Sequence, residues 1–242
     1  MTAFFVSCQS GETTQIDRGV VVTDSAIAFH GGDIYDRLNT SFRFRERGYQ
    51  IIRQSGKYDY YSMYRDSTGN HLRHLSNSGY TQTLNGVELK LNAKDSVARS
   101  ASVNSVVYFA LLPGLLDSPA AKKEFLGDEV IDDKSYIKVK VTFDQEGGGE
   151  DFEDVFLYWF SKENYAMDYL AYSYLEEEGG TRFRKAINRR RVNGLVYQDY
   201  INFKGPSPDS LMFISDLFKA EKLDTLSLIE LRNLRVETVG GN

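Results

Sequence analysis

The feature that most constrains the fold is an alternation of apolar and polar residues with a period of two, which recurs along most of the chain. Residues 41–45 read Ser-Phe-Arg-Phe-Arg, and residues 58–65 repeat the pattern with tyrosines. Such alternation is typical of strands with one buried face. Asn85-Gly86 lies between two further alternating segments, which is a strong hairpin signal. The first half of the chain is therefore predicted to be an antiparallel meander.

Strands are also predicted for most of the second half. Residues 136–143 alternate Ile, Val and Phe with Lys and Thr, and residues 154–160 are rich in aromatic and β-branched residues. Asn193-Gly194 marks another hairpin, and residues 226–239 are predicted to be a closing strand.

A charged hairpin is predicted near residue 180. Gly179-Gly180 is a plausible two-residue turn, preceded by Glu176-Glu177-Glu178 and followed by Arg182-Phe183-Arg184-Lys185. A turn at the glycines would place the acidic arm opposite the basic arm, with a gain of about a few tenths of a kcal/mol for each cross-strand pair.

Three segments show helical patterns. Residues 24–38 are predicted to be a helix capped by Asp24 and broken at Gly31-Gly32. Residues 95–126 are predicted to be a buried helical hairpin interrupted at Pro113-Gly114, and residues 209–222 a short helix. Because a long meander must curl or be covered, we predict an α+β fold, mainly antiparallel β, in which an unclosed curled barrel has helices over its concave face.

Composition excludes several classes of protein. The 242 residues contain one cysteine, which excludes an intrachain disulfide and a zinc site with several cysteines. A net charge of −5 argues against nucleic acid as the main partner. The sequence contains no run of 18 apolar residues that would indicate a membrane-spanning helix.

The lone Cys8 suggests a location. It follows Phe4-Phe5-Val6-Ser7, and the chain turns polar immediately after it. This resembles the end of a bacterial lipoprotein signal peptide, in which the cysteine after a small residue is acylated. We therefore expect residues 1–8 to be a truncated signal remnant ending at the lipidation site Cys8, residues 9–23 a tether and residues 24–239 a single domain. The alternative is a buried or incidental free cysteine.

The layout resembles the LolA/LolB/LppX-like envelope lipoprotein carriers. The resembling features are His30-Gly31-Gly32 with Tyr35, a buried segment at 106–116 containing Leu112-Pro113-Gly114, and Lys134-Ser135-Tyr136 leading into a strand. This resemblance, over roughly residues 24–205, implies a cavity between sheet and helices for an acyl chain or another apolar ligand. The candidate lining residues are Phe42, Phe44, Val106, Phe109, Leu112, Tyr136, Trp159 and Tyr172.

Other chemical signals are weak. Arg182, Arg184, Arg189 and Arg191 form a candidate basic patch for anionic lipid headgroups or a carboxylate-bearing partner, unless they pair with the preceding glutamates. His71 and His74 are three residues apart on a predicted strand, which is poor metal geometry. Asp151, Glu153 and Asp154 lack the spacing of a calcium loop. We predict no catalytic residue, no metal and no cofactor.

The function hypothesis is an envelope lipoprotein that binds or carries a lipid-like or hydrophobic ligand without catalysis. It would be anchored by acyl chains to the outer membrane or would face the periplasm. The alternative is a cell-envelope protein-interaction module with a filled core. An enzyme with a dispersed site is the third possibility.

Overall fold

The computed structural model describes residues 17–146, 154–174 and 179–238. They form fourteen strands and three α-helices, so the predicted α+β fold with mainly antiparallel strands is confirmed. The helices are α1 (Arg18–His30), α2 (Ala93–Leu111) and α3 (Ile214–Lys219). Three 3₁₀ turns cover Gly32–Asp36, Gly114–Asp117 and Pro208–Phe213.

The strands divide into two antiparallel sheets of seven. The first seven strands in chain order are β1 (Arg37–Phe44), β2 (Arg47–Gln54), β3 (Lys57–Asp66), β4 (Gly69–Ser76), β5 (Gly79–Leu84), β6 (Val87–Glu88) and β7 (Ala121–Ile131). The others are β8 (Lys134–Phe143), β9 (Val155–Ser161), β10 (Met167–Tyr174), β11 (Gly180–Val192), β12 (Leu195–Lys204), β13 (Asp224–Ile229) and β14 (Arg232–Thr238). The first sheet has the order β14-β1-β2-β3-β4-β5-β6 and the second has the order β13-β12-β11-β10-β9-β8-β7.

The predicted single curled sheet is therefore replaced by two sheets, neither of which is closed or strongly curled. The predicted closing strand at 226–239 is divided between them, since β13 is the edge of one sheet and β14 the edge of the other. The crossing is held by Asp199, whose Oδ1 accepts a hydrogen bond from the backbone N–H of Leu231 at 2.9 Å. The chain therefore passes from the edge of the second sheet to the edge of the first through a short connection between β13 and β14.

The main core lies between the sheets and includes both longer helices. α1 contacts β7, β8 and β12, while α2 contacts β3, β4, β5 and β12. A buried hydrogen bond of 2.8 Å from Tyr197 Oη on β12 to Thr40 Oγ1 on β1 joins the sheets directly. A second cluster, which includes Trp159, Phe183 and Ile214, lies on the opposite face of the second sheet beneath residues 208–219.

Both predicted Asn-Gly hairpins are confirmed. Asn85 and Gly86 have φ angles of 51° and 82°, and Asn193 and Gly194 have 46° and 87°. Two consecutive residues with positive φ are what a tight hairpin turn with the right-handed strand twist requires.

The first helix begins earlier than predicted. Asp17, not Asp24, is the N-cap, and its Oδ1 accepts a hydrogen bond from Gly19 N at 2.7 Å. Residues 18–23 are thus helical rather than part of a tether, because Val22 and Thr23 share the buried side of α1 with Ala26. The helix ends at Gly31, where an added Cβ would come within 2.3 Å of Leu195.

The predicted helical hairpin at 95–126 is half wrong. Its first arm is α2, which ends where Pro113 removes a backbone donor. Its second arm is a 3₁₀ turn followed by β7, which pairs with β8 from Ala121 opposite Phe143. Lys122 and Glu124 are exposed between half-buried neighbours, so the strand period prevails over the helical one.

The predicted cross-strand pairing of Arg182 and Arg184 with acidic residues is wrong. In the β10–β11 ladder, Arg182 lies opposite Tyr172 and Arg184 lies opposite Leu170. Glu176-Glu177-Glu178, Gly147-Gly148-Gly149, Asp151, Glu153, Cys8 and residues 9–16 of the predicted tether lie outside the described residues.

Candidate functional site

A cavity of about 990 Å³ lies between the two sheets, beside α2 and the 3₁₀ turns that follow α1 and α2. One wall comes from the first sheet through Arg53, Tyr58 and Tyr60. The opposite wall comes from strands β8 to β11, and α2 contributes a third side through the segment that ends at Leu112. The volume is at the upper end of the range of small-molecule pockets.

The deep part of the cavity is apolar and aromatic. Phe109 and Leu112 of the α2 end face Phe156 and Leu170 of the second sheet, and all four are at most 9% exposed. The Phe156 ring centre lies 5.7 Å from that of Tyr172, which also lines the cavity. These side chains offer an apolar surface to whatever enters.

Tyr108 extends this aromatic wall. Its ring lies 5.5 Å from Phe156 and 6.3 Å from Phe143, centre to centre. The Tyr108 and Tyr158 hydroxyls are 2.8 Å apart and hydrogen-bonded. Burial raises the pKa of Tyr158 well above its usual value, so this hydroxyl stays neutral.

Arg184 of β11 brings a positive charge into this aromatic wall. Its guanidinium carbon lies 5.4 Å from the ring centre of Phe109 and 5.2 Å from that of Tyr172. One terminal nitrogen donates a hydrogen bond to Tyr172 Oη at 3.0 Å. Its Nε is buried and has no hydrogen-bond partner among the described residues. A buried donor without a partner is costly. Because Arg184 also lines the cavity, its guanidinium brings a positive charge and hydrogen-bond donors to the ligand space.

Two more arginines line the cavity. Arg182 lies on the same side of β11 as Arg184, with its guanidinium carbon 5.0 Å from the ring centre of Tyr174. On the opposite wall, Arg53 donates to the carbonyl of Tyr35 at 3.0 Å and to Tyr60 Oη at 2.9 Å. Burial raises the pKa of Tyr60 although Arg53 acts in the opposite direction. None of the three arginines forms an ion pair with a carboxylate of the described residues.

The mouth of the cavity is acidic. Four exposed aspartates lie among the lining residues, namely Asp24, Asp33, Asp36 and Asp117. Exposed charges are screened by salt within about 10 Å at 0.1 M ionic strength, whereas partly buried charges are screened less. A fifth lining aspartate, Asp154, is partly buried. The site therefore combines an acidic rim with an apolar interior that holds three arginines and this carboxylate.

The predicted lining residues fall into three groups. Phe109, Leu112 and Tyr172 line the cavity. Phe42, Phe44 and Val106 are buried in the main core but outside its lining. Tyr136 and Trp159 lie in the second cluster, on the other face of the second sheet. The period of two explains the last group, since Tyr158 and Phe160 beside Trp159 face the main core.

The predicted basic patch is not one surface. Arg182 and Arg184 line the cavity, whereas Arg189 donates to Asp168 at 2.5 Å and Arg191 donates to the carbonyl of Phe29 at 2.8 Å. The β11–β12 register shifts between Ile187 and Arg190. The period of two alone would place Arg189 and Arg191 on the face opposite Arg182 and Arg184, and the extra residue at the shift reverses the alternation beyond it.

The histidines are held within the fold. His30 is fully buried, and its Nε2 accepts a hydrogen bond from the backbone N–H of Met167 at 3.2 Å. Burial, with Arg189 and Arg191 nearby, lowers its pKa to about 3. His71 and His74 stack on Tyr64 and Tyr61 respectively. Within residues 17–146, 154–174 and 179–238, no group of three or more histidine, cysteine or acidic side chains is placed to hold a metal.

A family model described as a family of unknown function, DUF6503, matches residues 3–230. The chain belongs to the DUF6503 family. A search of curated proteins found no match. In the described part of this DUF6503 chain, no helix is both long and apolar enough to cross a membrane.

Two solved structures with TM-scores above 0.5 share the fold of this DUF6503 chain, in agreement with the predicted fold resemblance. A DUF1329 family protein from Desulfovibrio piger aligns with a TM-score of 0.52 and 11% identity, over 90% of this chain and 93% of that chain. A putative outer membrane lipoprotein-sorting protein domain from Vibrio parahaemolyticus aligns with a TM-score of 0.51 and 8% identity, over 91% and 93%. A LolA superfamily protein from Nitrosomonas europaea gives 0.48 and 10%, over 78% and 86%.

Sequence reasoning missed several lining residues of this DUF6503 chain. Arg53, Tyr58, Tyr60 and Tyr108 were not singled out as lining residues, although Tyr58 and Tyr60 belong to a segment whose alternation was recognised. Alternation identifies two residues on the same face of a strand, but it does not tell which face looks into a cavity. That choice depends on where α2 packs.

Proposed function

We propose that this protein is an envelope protein that binds a lipid-like amphiphile in the cavity between its two sheets, without catalysis. The observation that carries the proposal is the combination of a cavity of about 990 Å³ with aromatic walls and the Arg184 guanidinium, whose Nε lacks a described partner. An amphiphile matches both parts of that surface.

The apolar part of the ligand would lie against Phe109, Leu112, Phe156 and Leu170. Burying apolar surface contributes about 25 cal/mol per Å², so a chain of several methylenes gains most of its binding free energy here. A few polar groups then fix its orientation, as in most small-molecule sites.

The polar part of the ligand would carry a negative charge or strong acceptors. Arg184 and Arg182 lie on one side of β11, and guanidinium groups bind carboxylate and phosphate through two parallel hydrogen bonds. The aromatic rings beside both arginines hold their planes in place, which lowers the entropy lost on binding.

The similar fold of the Vibrio parahaemolyticus protein adds support, because that protein is described as a lipoprotein-sorting domain. By analogy, the ligand of this chain would be a lipid or the acylated end of another protein. Cys8 would carry an acyl anchor in the cell envelope, and stable anchoring takes more than one chain.

The interaction module with a filled core has less support. The space between the sheets is open among the described residues, and the four arginines of the expected patch do not form one surface for a partner.

The test uses a fluorescent probe, anthroyloxy-labelled palmitate, titrated into protein freed of lipid by solvent extraction. Leu170→Phe fills part of the cavity, and Leu72→Phe on β4, where Leu72 is 37% exposed, is the matched control. We expect Leu170→Phe to weaken binding at least fivefold and Leu72→Phe to change it less than twofold.

A second arm analyses protein purified from the cells that make it by native mass spectrometry. Co-purified lipid that is depleted in Leu170→Phe supports the proposal. Absence of lipid in the wild-type protein together with no saturable probe binding would overturn it.

A further inference from the structure

A second group of arginines lies outside the cavity, at the other end of α2. Arg47 comes from β2, Arg73 from β4 and Arg99 from the N-terminal half of α2. None of them lines the cavity between the sheets. α2 contacts β4 and β5, so Arg99 is brought onto the same sheet face as the two strand residues.

Tyr64 connects two of these arginines. The guanidinium carbon of Arg47 lies 4.3 Å from the ring centre of Tyr64, and that of Arg73 lies 5.3 Å from it. Tyr64 is paired with His71 across β3 and β4, and the two rings stack at 4.5 Å. The ring therefore holds two positive charges close together.

Arg73 is the least exposed of the three. Only 9% of its surface is exposed, and a terminal nitrogen donates to Tyr64 Oη at 3.3 Å. Its Nε is buried and has no hydrogen-bond partner among the described residues. Burying a charged donor without a hydrogen-bond partner costs free energy, whereas an exposed arginine donates to water instead.

Gln82 links Arg99 to the same group. Its side-chain oxygen accepts hydrogen bonds from Arg99 and from Tyr80 Oη, both at 3.0 Å. Gln82 is 2% exposed and lies directly opposite Arg73 in the β4–β5 ladder. Burial raises the pKa of Tyr80, and all three arginines act in the opposite direction, which reflects their closeness to this hydroxyl.

The charge of this group is not compensated within the described chain. Arg47, Arg73 and Arg99 form no ion pair with a described carboxylate, although the chain has 34 acidic and 29 basic residues. Arg190 and Arg189, by contrast, each pair with an aspartate. Like charges held together around one tyrosine repel, so an oxyanion bound between them would relieve the repulsion.

We propose that Arg47, Arg73 and Arg99 form an anion site that binds a phosphate group, supplied by a soluble phosphate compound or by a phospholipid headgroup. Arginine suits this chemistry because its planar fork of donors matches phosphate oxygens. Arg73 is the least exposed of the three and carries the unpartnered Nε, and the partly exposed Arg47 and Arg99 bring their guanidinium groups from two other elements. The site stands independently of ligand binding between the sheets.

The test is isothermal titration calorimetry on the full chain in low-salt, phosphate-free buffer. The titrants are inorganic phosphate, monomeric dihexanoyl phosphatidylglycerol, and dihexanoyl glycerol, which has the same chains without phosphate. The variant is Arg47→Gln with Arg99→Gln, and the control is Arg65→Gln, an exposed arginine of β3 next to Tyr64. Circular dichroism and thermal unfolding check that both variants fold.

We expect affinity for phosphate or for the phospholipid to fall at least tenfold in the double variant and less than twofold in Arg65→Gln. Loss for inorganic phosphate alone would identify a soluble compound, and loss for the phospholipid but not dihexanoyl glycerol would identify a headgroup. If the double variant does not fold, Arg99→Lys, which keeps the charge and loses the fork, should weaken binding by a smaller factor. No saturable phosphate-dependent binding by the wild type, or an equal loss in Arg65→Gln, would overturn the proposal.

Discussion

The guanidinium carbon of Arg184 lies 5.4 Å from the ring centre of Phe109, so strand β11 and helix α2 meet across the cavity through a cation and an aromatic ring. Such a contact contributes about 0.5–2 kcal/mol, depending on how far the pair is desolvated. It also places the unpartnered Nε of Arg184 beside an apolar surface. A charged guanidinium and an apolar surface therefore lie side by side within one site.

Arg184→Gln should weaken an anionic amphiphile and leave a neutral one unaffected. A hydrogen bond between charged partners contributes about 1.5–3 kcal/mol, which corresponds to roughly tenfold or more in affinity. The measurement compares palmitate with hexadecan-1-ol, the alcohol of the same chain length, by displacement of a fluorescent probe. Arg235→Gln on β14, where Arg235 is exposed, serves as the control. An equal loss for the alcohol would show that Arg184 acts only through packing.

Asp199→Ala should destabilise the crossing between the sheets. The carboxylate of Asp199 accepts from Leu231 N at 2.9 Å, from Arg190 at 3.1 Å and from Asn188 at 3.2 Å, and its side chain is 8% exposed. The substitution leaves Arg190 without its partner, but Arg190 is partly exposed, so water reduces the cost. We therefore expect a loss of about 2–3 kcal/mol in the free energy of unfolding, measured by urea denaturation.

The matched control for the crossing is Glu124→Ala. Glu124 forms a 2.8 Å ion pair with Lys140, but its side chain is 59% exposed. An exposed pair contributes about 0–1 kcal/mol, so this variant should unfold at nearly the wild-type urea concentration. Similar losses in both variants would contradict the role assigned to Asp199.

His30 should make stability depend on pH. Its pKa in the folded state is about 3, below the 6.5 of an unperturbed histidine, so only the unfolded state takes up a proton between these values. Neutral His30 contributes to the free energy of unfolding in full above pH 6.5. This contribution is lost as the pH falls toward 3, by about 1.4 kcal/mol per pH unit. Urea denaturation between pH 7.5 and 5 measures the slope.

His30→Gln keeps a hydrogen-bond acceptor for Met167 N and removes the titration, so its stability should fall less steeply with pH. Comparison above pH 5 avoids the range in which carboxylates such as Asp66 and Asp132, whose pKa values are lowered, take up protons. An unchanged slope in His30→Gln would refute the assignment.

Gly114→Ala should cost stability and narrow the cavity together. A Cβ at Gly114 would lie 2.4 Å from ring atoms of the buried Tyr35, and both residues line the cavity. Overpacking of this kind costs about 1–3 kcal/mol. Gly48→Ala is the control, because its nearest neighbour would be 3.8 Å away. Gly114→Ala should lower the thermal unfolding temperature and weaken probe binding. Gly48→Ala should change neither.

Local patterns predicted the strands and turns well. Both Asn-Gly hairpins were recognised because two residues with positive φ in a row leave few alternatives to that residue pair. The second arm of the predicted helical hairpin was wrong because residues 115–126 are apolar enough for either period. Pairing with β8 decided between them.

The candidate site was predicted less completely. Of the residues predicted to line a ligand cavity, Phe109, Leu112 and Tyr172 lie along the space between the sheets, while Tyr136 and Trp159 face the other side of the second sheet. Both faces of an aromatic strand are buried when other elements pack on each of them. The sequence alone does not tell which of the two faces lines the cavity. Residues 208–219 create the second buried face here.

The sequence by itself determined the periodicity of each strand, the hairpin turns and the mainly antiparallel class, because these depend on neighbours within a few residues. The tertiary structure decided that β13 and β14 belong to different sheets, and that Arg184 meets Phe109 while Arg189 meets Asp168. These outcomes depend on contacts between residues far apart in the chain. They are set by which faces pack together to bury the most apolar surface, and no local pattern records that choice.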